Sequence, residues 1–203
     1  MEVASAPVTR GRPREFDADQ ALANALRVFW SKGYEGASMA DLTEAMGITK
    51  PSLYAAFGNK EALFSQALDL YEREKLAFVS RAFDAPTARG VAARLLHGAI
   101  ELLTGQGCPG GCLIVANSVA CGDEADSIRG HVVARGAAAK RALLERFEQA
   151  KRDGDLPPQI DAQGLTAHLT ALMQGMSVQA GAGASREELE QLVETSLAMW
   201  PSA

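Results

Sequence analysis

Three groups of residues in this chain have types and spacings that suit chemistry. The first lies in SMADLTEAMGITKPSLYAAFGNK, Ser38 to Lys60, where Thr49, Lys50, Pro51, Ser52 and Tyr54 bring hydroxyls, an ammonium and a phenol within six consecutive residues. Such groups donate hydrogen bonds and positive charge to phosphates and base edges. The second is Arg10-Gly11-Arg12-Pro13-Arg14, three guanidinium groups on a segment that proline keeps out of a helix. The third is Cys108-Pro-Gly-Gly-Cys112, with Cys121 nine residues further on.

The elements that carry the first group are two short helices and a tight turn. Ser38 is an N-cap and Asp41 stands three residues later, the spacing of a capping box. Leu42 and Met46 repeat at helical spacing, and Gly47 closes the segment as a C-cap able to take positive φ. Thr49 caps the next helix, and Pro51 falls in its first turn, where a missing N–H costs nothing. Leu53 and Phe57 form a buried edge, while Lys50, Ser52, Ala55 and Ala56 make a low opposite face that lets a backbone approach a groove. Helices this short need a cover, and Leu22, Leu26 and Phe29, after the N-cap Asp17, supply it. An ordinary helical hairpin inside a larger core would explain Tyr54 and Phe57 as packing residues, and stands beside the DNA reading at this point.

The run GITKPSLYAAFGNKEALF, with the preceding DLTEAM, resembles the DNA-binding domain of the TetR family of transcriptional regulators over about residues 14–64. The resemblance rests on Gly47, Leu53, Tyr54, Phe57, Lys60 and Leu63 after a helix ending at Gly33-Tyr34. It implies that Lys50 and Ser52 face base edges, that Pro51 packs near a thymine methyl, and that Tyr54 and Lys60 hold phosphates, within a set that includes Ser38 and Thr49. Thr43 departs from the family's alanine, and its hydroxyl is expected to bond back to the preceding turn. The Ala55-Ala56 pair leaves a sparse reading face. Arg10, Arg12 and Arg14 either enter a narrow minor groove or make loose phosphate contacts; both serve DNA.

With 203 residues, 47% of them hydrophobic, the chain can bury a head and one larger domain. Residues 1–60 carry seven basic and seven acidic groups and residues 61–203 thirteen and eighteen, so the whole net charge of −5 lies in the body. That does not suggest a general nucleic-acid binder and favours one docking orientation. The first 17 residues lack an apolar core, no stretch is long and apolar enough for a membrane, and three cysteines do not make a disulfide framework. A cytoplasmic protein is expected.

Beyond Asn59 the apolar spacing is helical throughout. One helix is expected from Asn59 to about Phe83 as a continuous lever, then others over about 86–103, 112–120 and 126–151. Two final helices carry Leu165, Leu169, Leu172, Met173 and Met176, and Leu189, Leu192, Val193, Leu197 and Trp200. Periodicity alone allows either an intrachain core or a subunit interface. The resemblance implies a dimer through these two helices, with Leu165, Leu169, Leu172, Leu189, Leu192, Val193, Leu197 and Trp200 as candidates. Two heads about 34–36 Å apart would read both halves of a palindromic operator.

The resemblance also implies a small-molecule cavity in the body, for which Leu96, Ile100, Cys112, Ile114, Met173 and Met176 are candidates; nothing identifies the effector. The cysteines could sense a thiol-reactive signal, could join His131 in a metal site, or could be half-buried thiols in a tight loop, the simplest reading. Gly105-Gln-Gly-Cys-Pro-Gly110 spells a dinucleotide fingerprint, but a helix precedes it and proline interrupts it. His97, His131 and His168 accompany no nucleophile motif.

The expectation is therefore an all-α chain: a three-helix DNA-binding head over residues 1–58 (arm 1–16, helix-turn-helix 38–57), then an effector-binding and dimerisation domain over 59–203. It is expected to act as a homodimeric repressor on double-stranded DNA, without catalytic residues, metal or cofactor. The alternative is a helical small-molecule or redox-sensing protein without DNA function.

Overall fold

The computed structural model describes residues 16–118 and 126–201. Arg10, Arg12, Arg14 and Cys121 lie outside the described residues. Among those described there are ten helices and no strand: α1 Ala18–Gly36, α2 Met39–Met46, α3 Lys50–Phe57, α4 Lys60–Lys75, α5 Ala77–Ala82, α6 Ala88–Thr104, α7 Leu113–Ser118, α8 Asp126–Arg152, α9 Ala162–Gly181 and α10 Arg186–Ala198. None is long and apolar enough to cross a membrane.

Local chemistry sets most of the helix starts. Asp17 accepts from the N–H groups of Asp19 and Gln20, Thr49 from Ser52, Asn59 from Ala62 and Thr87 from Gly90. Ser38–Asp41 and Ser185–Glu188 are complete capping boxes. The carboxyl of Asp41 is held well below its ordinary range, chiefly by the Lys32 ammonium at 2.6 Å, with Ser38 adding to it.

Two apolar clusters organise the packing. The first is aromatic: Phe29 meets Phe64 edge-on at 5.0 Å, Trp30 meets Tyr71 at 5.0 Å and Tyr34 meets Phe64 at 5.2 Å. It takes in α1–α4 and extends to Leu113 of α7 and to Ile128 and Val132 of α8, so packing runs without a break across residue 58. The second cluster joins α6 to α8, α9 and α10 through Leu95, Leu96, Ile100, Phe147, Leu169, Met176, Leu189 and Val193.

The expected continuous lever from Asn59 to Phe83 is in fact two helices. Leu76, at φ −100° and ψ 8°, ends α4 and begins α5. The reason is tertiary, since no Gly or Pro marks the place. Phe78 of α5 packs against Gly98 of α6 so closely that a Cβ there would stand 2.1 Å from the ring. Following α6 requires α5 to leave the α4 axis.

The apolar stripes of the two terminal helices divide between the core and the surface of the subunit. Leu169, Leu189, Val193 and Leu197 are buried by their own chain. Leu165, Leu172, Leu192 and Trp200 are only half-buried beside that core. The apolar stripes reported the inside of the subunit, because a helix docked on α6 needs such a stripe whether or not its back meets another chain.

Candidate nucleic-acid interface and effector cavity

In the helix-turn-helix, Gly47 adopts the left-handed conformation at φ 65° and ψ 28°, turning the chain within two residues from α2 into Thr49. Thr43 Oγ1 donates to the carbonyls of Met39 and Ala40 at 2.9 and 3.1 Å, absorbing its hydroxyl within α2. Leu53 and Phe57 anchor α3 in the core. Thr49, Lys50, Pro51, Tyr54 and Ala55 are exposed, and Ser52 is half-buried. Thr49 Oγ1 lies 2.9 Å from Ser52 Oγ and also takes the Ser52 N–H, so both hydroxyls are committed to shaping the N-terminus of α3. Ser38 is likewise engaged in its capping box. The polar side chains left outermost on α3 are Lys50 and Tyr54; Tyr54 is 46% exposed and its ring centre lies 5.9 Å from the Lys50 ammonium.

Lys60, at the start of α4, places its ammonium 4.5 Å from the centre of the Tyr34 ring. The positive end of the α4 dipole adds to that charge. This is suitable chemistry for a phosphate beside the α3 face.

The body contains an apolar cavity of about 190 Å³ between α5, α6, α7, α8 and α9. Cys112, Ile114 and Met173 line it together with Leu76, Phe78, Phe83, Leu143 and others. Leu96, Ile100 and Met176 do not; they are sealed in the core between α6, α9 and α10. Periodicity marks an apolar face but not the part of it that a cavity undercuts.

The segment from Cys108 to Asn117 connects this cavity to the head. Trp30 Nε1 donates to the Gly111 carbonyl at 2.9 Å, and the Tyr34 N–H donates to Asn117 Oδ1 at 2.8 Å. The Tyr71 hydroxyl donates to Cys112 Sγ at 3.3 Å, and the Cys112 N–H to Ser177 Oγ of α9 at 2.7 Å. Gly111, at φ 77°, makes the turn that serves both sides; a Cβ there would sit 3.3 Å from the Ser177 carbonyl. Burial raises the Cys108 thiol pKa, which works against a thiolate there. Arg135 of α8 adds a second tie, pairing with Asp69 at 2.6 Å and Glu72 at 2.7 Å on α4. Sequence reasoning missed Trp30, Tyr34, Asn117, Ser177 and Arg135 as a linkage. A single Asn in an apolar six-residue helix was the one local sign.

A helix-turn-helix head on a helical body defines a helix-turn-helix transcriptional regulator. The model for bacterial regulatory proteins of the tetR family matches residues 21–67, and that for the tetracyclin repressor-like C-terminal domain matches residues 92–196. The chain is 36% identical to the HTH-type transcriptional repressor ComR of Escherichia coli K12, over 95% of this chain and 93% of ComR. It is 34% identical to the repressor BdcR of the same strain, over 88% and 86%. A cysteine mutant of the TetR family regulator CifR, solved with 26-base-pair double-strand operator DNA, superposes with a TM-score of 0.89 at 41% identity, over 94% of this chain and 100% of that one. The chain belongs to the TetR family of transcriptional regulators.

Proposed function

We propose that the chain is a homodimeric repressor that binds a palindromic operator and leaves it when a small molecule occupies the body cavity. The observation that carries the DNA half is the exposed Lys50–Tyr54 face of α3, held by buried Leu53 and Phe57, with Lys60 alongside. In this reading residues 1–58 form the DNA-binding domain and residues 59–203 the effector and dimer domain. The operator complex of CifR and the repressor names of ComR and BdcR favour the same function.

The dimer face is assigned to the outward sides of α9 and α10. Leu165, Leu172, Leu192 and Trp200 are half-buried there, and Val178 and Met199 are 64% and 71% exposed. Apolar side chains that stay this open on a body helix gain about 25 cal/mol per Å² when a partner covers them.

Release would proceed by differential affinity for two head arrangements, typically ~1–3 kcal/mol of coupling. A ligand touches Leu76 at the α4–α5 break and Cys112 in the loop that holds Trp30. A thiol-reactive signal has the same point of entry, because Cys112 lines the cavity and receives the Tyr71 hydroxyl. Footprinting on the DNA upstream of the protein's own gene tests the proposal. Two protected half-sites one turn apart support it, and no protection above unrelated DNA overturns it.

A further inference from the structure

We propose that the body cavity takes an apolar molecule carrying a single carboxylate, with the anionic head met by Lys140 and Gln174 at the mouth. The inference rests on the cavity being the effector site and adds the chemical class of the effector.

The walls are hydrocarbon and aromatic: Leu95, Leu103, Leu143, Met173, Phe78 and Phe83. Lys140 is the one charged residue lining the cavity, and no carboxylate lines it among the described residues. The lining residues that reach solvent are Gly136, Ala139, Lys140 and Gln174, so the mouth opens between α8 and α9 beside the lysine. Gly136 and Ala139 leave room there for a headgroup.

The other polar side chains of the lining each have a partner within the protein. Thr170 Oγ1 donates to the Thr166 carbonyl at 2.7 Å, and Ser177 Oγ receives the Cys112 N–H. Lys140 and the Gln174 amide have no hydrogen-bond or ion-pair partner among the described residues. The donors at the mouth are thus an ammonium and an amide, and an ionised carboxylate is an acceptor only. A cation would find no counter-charge among the described residues that line the mouth, and a neutral ligand would gain less from Lys140. The volume of about 190 Å³ is comparable with an apolar cavity of about 150 Å³ that holds benzene, which sets the body at one ring or a short chain.

The test is calorimetric binding of three matched probes to the full-length protein: 3-phenylpropionate, 3-phenylpropanol and 3-phenylpropylamine. The acid should bind at least about tenfold tighter than the alcohol, and the amine weakest. Lys140→Met should bring the acid down to about the alcohol's affinity while changing the alcohol far less, and Lys140→Glu should place the amine above the acid. Lys140 is exposed, so both variants retain the core. Ala99→Leu, or Met173→Trp if the first fails to fold, should block every probe by filling the cavity. Equal binding of acid and alcohol, unmoved by Lys140→Met yet lost in the filled variant, overturns the carboxylate assignment while the cavity remains the site. Acid binding that survives filling overturns the cavity as the site, and absence of acid binding overturns the proposal.

Discussion

Asn117 Oδ1 accepts the backbone N–H of Tyr34 at 2.8 Å, so α7 of the body holds the residue that follows the kink of α1 at Gly33. Its own amide nitrogen donates to the Leu113 carbonyl at 2.8 Å, which fixes the side chain. Asn117 is 1% exposed, so its side chain is shut off from bulk solvent. The head is thereby fastened to the one helix that also contributes Ile114 and Val115 to the cavity wall.

Asn117→Leu keeps the bulk and removes the acceptor, leaving a buried N–H at Tyr34 unsatisfied. Unfolding free energy in urea should fall by about 1–3 kcal/mol. In the same variant a cavity ligand should change operator affinity less than in the parent. Unchanged stability would show that the bond is not holding the kink.

Gly98→Ala places a Cβ 2.1 Å from Phe78 Cδ2, so the ring must swing away. Overpacking of this kind costs about 1–3 kcal/mol, read as a lower urea midpoint at constant slope. Phe78 also lines the cavity, so ligand affinity should change in the same variant. A full retention of both would mean that α5 is free to slide on α6.

Lys60→Ala should weaken operator binding uniformly across base-pair variants. It should also lower the slope of log K against log salt by about 0.9, the share of one phosphate. Lys50→Ala should instead change preference at particular base pairs. A salt slope unchanged by Lys60→Ala, or a uniform loss with Lys50→Ala, would contradict these roles.

Asp41 carries the pH dependence of the helix-turn-helix. Its folded pKa lies below the ordinary 3.8, mainly through the Lys32 ammonium and then Ser38. The unfolded chain therefore binds its proton first as acid is added. The stabilisation is complete above about pH 5 and is lost as pH falls through the carboxylate range. Compared with Asp41→Asn, the parent should be more stable at neutral pH, with the advantage shrinking toward about pH 3. A constant difference between the two proteins would argue against the ion pair.

The DNA-binding head was legible because its determinants are local. Ser38, Gly47, Thr49 and Asn59 announce their caps through residue type alone, and all four cap as expected. The body was legible as helices but not as a site. The break at Leu76 follows from the contact between Phe78 and Gly98, twenty residues apart, with no helix breaker at the break itself. The stripe through Leu189, Val193 and Leu197 turned out to face α6, as an internal face and a subunit interface leave the same period in a sequence. Trp30, Asn117 and Ser177 became a linkage only when the loop at Gly111 brought them together.

Operator affinity of a Lys50→Ala/Tyr54→Ala double variant decides whether α3 is the reading helix. Both side chains are exposed, so thermal stability should stay close to that of the parent. With stability unchanged, binding to the footprinted operator should drop toward that for unrelated DNA, a loss of about 10³-fold or more. A folded double variant that binds the operator as tightly as the parent would contradict DNA recognition through this face.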